Sequence, residues 1–203
     1  SLLAFVIGSN EGSPVRYETI NIIRRGANYG YPLREGPEFK PLSPIYATFL
    51  SAINSAETEI LLTNAYFVPD PQLMDALIGA VARGVEVKMI LPSATDSWLV
   101  FHAGRAHYDK LLRGGLKLYE RKDVLLHSKT ALIDGVWSTI GSTNLDWRSF
   151  LHNQEVNAVI IGPEFGDRMR AAFESDLAAS KPITLEEWQN RPIDVRVKEL
   201  FGR

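Results

Sequence analysis

His127-Ser128-Lys129-Thr130-Ala131-Leu132-Ile133-Asp134-Gly135-Val136-Trp137-Ser138-Thr139-Ile140-Gly141-Ser142-Thr143-Asn144 is the stretch that decides the fold, and Glu155 follows it downstream. Its first half alternates as a strand does, with His127 and Lys129 on one face and Ser128 and Thr130 on the other. Asp134-Gly135 is a hairpin turn pair, and residues 136–140 read as the returning strand. Gly141 and Ser142 then close that strand beside the start of the first. The spacing brings an imidazole, an ammonium, a hydroxyl and a carboxamide to one end of a sheet. Such a set can hold a phosphate and attack it.

Outward from the hairpin, strands alternate with helices. Ile45, Phe49, Ala52, Ile53 and Ala56 repeat at helical spacing, and residues 59–63 read as a strand ending at Asn64-Ala65-Tyr66-Phe67. Asp70 is a candidate N-cap before Pro71, and the helix it opens runs to about Arg83 and stops at Gly84. A strand is predicted over 85–91, one helix over 96–113, and a strand over 116–119. After the hairpin come a strand over 155–161 and a helix over 163–179. Short helical pieces are predicted over 185–189 and 195–201. This alternation predicts an α/β fold: a mixed, mostly buried β-sheet flanked by helices on both faces. Ligands of such sheets sit beyond strand ends, where the hairpin residues emerge.

The 203 residues fit one domain with a sizeable core. We expect a catalytic domain over 1–182 and a helical tail over 183–203. Residues 10–43 form a loop-rich insertion, read either as disordered or as a lid or binding loop. Within it, 20–23 suits one helical turn or a strand. A net charge of −2 gives no general attraction to nucleic acid or anionic lipid, so any such attraction is local. Cysteine is absent, which excludes disulfides and thiol catalysis. The apolar runs at 2–7 and 156–161 have strand length, far short of the roughly 20 residues that span a bilayer. The chain opens on Ser1 without a basic leader, and we expect it to be a soluble piece of a longer protein.

Metal sites find little support. His102 and His107 are spaced so that they do not share a helix face, and His152 with Glu155 supplies only two ligands. Metal-independent chemistry without a cofactor is expected, with Lys129 in the place of a cation. Ser97-Trp98-Leu99-Val100-Phe101 and Tyr66-Phe67 suit an apolar approach for acyl chains, or equally the packing of two element ends.

The motif His-x-Lys-x4-Asp-x6-Gly-Ser-x-Asn, filled at every fixed position, resembles the signature of the phospholipase D superfamily. Tyr66-Phe67-Val68-Pro69-Asp70, Arg83-Gly84-Val85-Glu86-Val87 and Asn144-Leu145-Asp146-Trp147-Arg148-Ser149-Phe150 are similar to the C-terminal catalytic half of bacterial cardiolipin synthases. The similarity runs from about Pro44 to Leu177. Two departures stand out: Asn64-Ala65 precedes Tyr66 where many relatives carry a proline, and the stretch before Pro44 is atypical.

The resemblance implies a phosphohistidine on His127, with Lys129 and Asn144 holding non-bridging phosphate oxygens and Ser142 adding a hydroxyl. Glu155 would accept from one imidazole nitrogen and leave the other aimed at phosphorus. Asp134 belongs to the signature, yet as an Asp-Gly turn residue it reads as structural, or as a brace to a neighbouring strand through an ion pair. Tyr66 is a candidate for substrate binding. The implied reaction is cardiolipin synthesis from two phosphatidylglycerols with release of glycerol, at the surface of the bacterial cytoplasmic membrane. Hydrolysis, as in a phospholipase D or a nuclease of the superfamily, differs only in the second acceptor; net acidity disfavours nucleic acid. A non-catalytic partner half is the third reading. The chain carries one signature, whereas in-line displacement needs a nucleophile and an acid on opposite sides of phosphorus. The implied partner is a second signature-bearing half, in the same longer chain or in a homodimer mate.

Overall fold

The computed structural model of the chain describes residues 3–9, 18–23, 44–151, 153 and 155–192. In chain order the elements are β1 (Leu3–Ser9), β2 (Glu18–Ile23), α1 (Pro44–Ser55), β3 (Glu59–Asn64), β4 (Phe67–Val68), α2 (Pro71–Ala82), β5 (Glu86–Pro92), α3 (Trp98–Arg105), α4 (Tyr108–Arg113), β6 (Lys117–Arg121), β7 (Lys129–Ile133), β8 (Trp137–Gly141), β9 (Leu145–Asp146), α5 (Trp147–Leu151), β10 (Val156–Ile161), α6 (Pro163–Ala178), β11 (Ser180–Ile183) and α7 (Leu185–Gln189).

Nine of the strands form one sheet in the order β11-β6-β5-β3-β7-β8-β10-β1-β2. β3, β5 and β6 run parallel to one another, and the other neighbours pair antiparallel. The sheet is therefore mixed, as the alternating pattern predicts. Pleat alternation divides its central strands between two cores. Ile60, Leu62, Val87, Met89, Ala131 and Ile133 point to the face covered by α1 and α2. Leu61, Ile90 and Leu132 point to the opposite face, where Phe173 of α6 covers them. Arg170 of α6 also clamps Glu59 of β3 with two hydrogen bonds.

Local chemistry sets the helix ends. Asp70 caps α2 by accepting from Leu73 N at 2.8 Å, Pro71 opens the helix, and Gly84 turns the chain away at φ +94°. The single helix predicted over 96–113 is instead two, α3 and α4, separated at Ala106–His107. Different packing partners account for the break. Gly104 brings α3 so close to β4 that a Cβ would meet the Phe67 carbonyl. Tyr108 of α4 stacks on Trp188 of α7, with ring centroids 4.8 Å apart.

Four short elements escape the sequence pattern: β4, β9, α5 and β11. The expected boundary at 182/183 falls inside β11, which pairs with β6, and buried Trp188 ties α7 to the same body. Within the expected insertion at 10–43, Glu18–Ile23 is strand β2 beside β1. The rest of that stretch and the helical piece expected over 195–201 lie outside the described residues. Among the described residues no helix is long and apolar enough to cross a membrane.

Candidate active site

β3 and β7 are antiparallel with Asn64 opposite Lys129, and Ala65 N donates to Ser128 O at 3.0 Å. The end of β3 therefore holds the start of β7. His127 stands just before β7 rather than inside it, and it is exposed. Lys129, two residues on, is buried. Its ammonium donates to the backbone carbonyl of His127 at 2.8 Å. Burial pushes the Lys129 pKa down, opposed by the negative charges of Glu155, Asp146 and Asp96. The site thus holds a partly desolvated cation beneath an accessible imidazole.

The β7–β8 hairpin returns Ser142 and Asn144 to the same end. Ser142 donates its hydroxyl to Glu155 Oε2 and accepts from Val156 N at 3.0 Å. Asn153 Nδ2 reaches the other oxygen of Glu155 at 3.3 Å. Glu155, the expected orienter of His127, thus accepts from Ser142 and from Asn153.

Two buried asparagines fix Asn144 from either side. Asn157 Oδ1 accepts from Thr143 Oγ1 at 2.8 Å and from Thr143 N at 3.3 Å. Asn64 Oδ1 accepts from Leu145 N and from Tyr66 N, both at 3.2 Å. Asn64 is one of the sequence's departures from the family pattern, and its side chain joins the loop after β3 to the loop that carries Asn144. Nothing in the motif spacing signals Asn157. The signature glycine makes room for it: a Cβ on Gly141 would overlap the Asn157 amide and the Val156 carbonyl. Asn144 Oδ1 itself is buried with no hydrogen-bond partner among the described residues.

Tyr66 also arrives at this end, half-buried, and donates its hydroxyl to Asp96. Asp96 and Asp146 are the acidic residues that sequence reasoning missed here. Asp146 additionally caps α5 by accepting from Ser149 N at 2.8 Å.

Asp134 stands apart from the other signature residues. It follows β7 at the strand end opposite Lys129, about 16 Å away at strand rise. Its carboxylate accepts from Glu57 N, Thr58 N, Thr58 Oγ1 and Glu59 N at 2.8–3.1 Å. It braces the entry to β3 as expected, but through backbone donors and a hydroxyl rather than an ion pair. His152, weighed as half of a metal pair, lies outside the described residues.

Residues 49–177 match the family described as "Cardiolipin synthase, PLD-like domain". The chain belongs to that phospholipase D-like family. Cardiolipin synthase A of Pectobacterium carotovorum is 38% identical over 181 residues, which are 89% of this chain and 35% of that relative. Cardiolipin synthase of a Geobacillus strain is 37% identical over 155 residues, 76% of this chain and 31% of the relative. The phospholipase D-like chain thus spans about a third of the curated relatives it matches. Among solved structures, the phospholipase D family member Nuc from Salmonella typhimurium superposes with a TM-score of 0.61 at 26% identity. That likeness covers 68% of this chain and 90% of Nuc.

Proposed function

We propose that this domain is one catalytic half of a phosphatidyltransferase that makes cardiolipin from two phosphatidylglycerols and releases glycerol. The observation that carries the reading is the convergence of exposed His127, buried Lys129 and Asn144 at one sheet end. His127 attacks phosphorus, a P–N bond forms, and the P–O bond to the glycerol headgroup breaks. The departing oxygen takes its proton from an acid on the far side of phosphorus. The hydroxyl of a second phosphatidylglycerol then attacks, loses its proton to that same group, and the P–N bond breaks. Lys129 and Asn144 hold the non-bridging oxygens as charge builds on them.

One imidazole cannot occupy both sides of phosphorus, so the acid comes from a second signature-bearing half, in the longer chain or in a homodimer mate. The short span of this chain relative to its relatives favours the longer chain. Exposed Trp98, Leu99, Val124 and Leu125, on the segments that follow β5 and β6, support contact with a membrane surface through the parent protein. The test is a full-length enzyme supplied with phosphatidylglycerol, with cardiolipin, glycerol and phosphatidic acid measured together. Cardiolipin and glycerol in equal amounts are expected, and His127→Ala should abolish both. Phosphatidic acid as the main product would make the enzyme a hydrolase, and a His127→Ala variant within a few-fold of wild type would remove the nucleophile.

A further inference from the structure

Tyr66 and Asp96 form a side-chain pair that phosphate binding does not explain. Tyr66 follows β3 and Asp96 follows β5, and these strands are parallel neighbours. Both residues therefore emerge at the sheet end where β7 begins. The Tyr66 hydroxyl donates to Asp96 Oδ1, and Thr95 Oγ1 lies 3.3 Å from the same oxygen. Asp96 is exposed and within electrostatic reach of both His127 and Lys129. Beside Tyr66 opens a shallow cleft lined by Tyr66, Phe67, Thr95, Val100, Phe101 and Arg105.

An ionised carboxylate only accepts hydrogen bonds, and it repels a phosphodiester anion. Next to a phosphate site its suitable ligand is a neutral group that carries hydroxyls. The Tyr66 hydrogen bond holds the Asp96 pKa below the usual aspartate value, so the carboxylate stays an acceptor at neutral pH. Apolar walls at Phe67, Val100 and Phe101 suit the carbon skeleton of the same ligand.

We propose that Tyr66 and Asp96 form the alcohol subsite of this active centre, with Asp96 accepting hydrogen bonds from the free hydroxyls of a glycerol headgroup. The assignment rests on the transferase reading above and deepens it. Asp96 is then a specificity-determining residue that touches the alcohol and not phosphorus, and Tyr66 fixes its carboxylate.

The test uses the full-length enzyme with phosphatidylglycerol as donor and isotopically labelled glycerol or ethanol as competing acceptors, so that transfer to glycerol is read as label entering phosphatidylglycerol. Wild type should prefer glycerol. Asp96→Asn should lower the glycerol-to-ethanol preference about tenfold or more, because a hydroxyl donor loses its charged acceptor. Tyr66→Phe should move the same ratio in the same direction by a smaller factor. A ratio that stays within about twofold of wild type in both variants, whatever the absolute rates, overturns the subsite. A wild type that transfers to neither alcohol and only releases phosphatidic acid overturns the transferase reading, and the subsite with it, before any variant is compared.

Discussion

Lys129 Nζ donates to the backbone carbonyl of His127 at 2.8 Å, so the buried cation of the signature is anchored to the very residue that carries the imidazole. Any shift of the lysine is transmitted to the chain at His127. Positioning and charge are therefore coupled through one hydrogen bond.

Lys129→Met removes that cation without leaving a buried charge. Turnover should fall about 10²–10³-fold, the typical loss for one transition-state donor. The thermal midpoint should stay level or rise, because burial disfavours the ammonium it replaces. Calorimetry beside activity decides it: an activity loss that follows a lowered midpoint would mark a merely structural lysine.

The same burial gives a pH signature. Lys129 has a folded pKa below 10.5, so above the folded value the unfolded chain binds more protons than the native one. Its unfavourable contribution is complete below the folded pKa and is relieved as pH rises from there toward 10.5. Urea unfolding at about pH 7 and about pH 10 should show any stability advantage of Lys129→Met shrinking at the higher pH. A constant advantage would contradict the depressed pKa.

Asp134 should behave as a brace. Asp134→Ala is expected to lose about 2–3 kcal/mol of stability through its charge-assisted hydrogen bonds, while folded molecules keep their specific activity. Burial raises its pKa, and hydrogen bonds from Glu57, Glu59 and Thr58 outweigh that, leaving it below 3.8. Its contribution is present above 3.8 and fades as pH falls through the folded value. Loss of turnover in a variant of unchanged stability would place Asp134 in the chemistry.

Gly141→Ala should disturb the site through Asn157. A Cβ there displaces the amide that holds Thr143, beside Asn144. We expect a destabilisation above about 2 kcal/mol together with lost turnover. A stable, fully active Gly141→Ala enzyme would show that the Asn157 contact does not position Asn144.

Trp98 and Leu125 test the membrane contact. They are 54% and 62% exposed. Trp98→Ser and Leu125→Ser should each weaken binding of the enzyme to phosphatidylglycerol vesicles by roughly tenfold, as expected for the loss of one large buried apolar side chain. Vesicle flotation that is indifferent to both changes would place the lipid-facing surface elsewhere.

The sequence by itself determined the β7–β8 hairpin and which signature residues that hairpin returns to one sheet end. Alternation places Lys129, Ala131 and Ile133 on one face and Leu132 on the other, and Asp134-Gly135 reverses the chain so that Ser142 and Asn144 return beside Lys129. These are local rules of period and turn chemistry, readable without a partner strand. Asp70 with Pro71 at one end of α2 and Gly84 at the other are legible for the same reason.

Tertiary structure alone decided what holds the site in place. Asn64 and Asn157 clamp the residues flanking Asn144 across 81 and 14 positions of chain. Asp96 meets Tyr66 only because β3 and β5 are parallel neighbours. The break between α3 and α4 follows from two packing partners, β4 and α7, which no helical period encodes. Glu155 turns to Ser142 and Asn153 because β10 runs antiparallel beside β8 and sets Val156 against Ser142. Hydrogen bonds between distant segments depend on strand order, and a spacing pattern within one segment carries no record of which strands become neighbours.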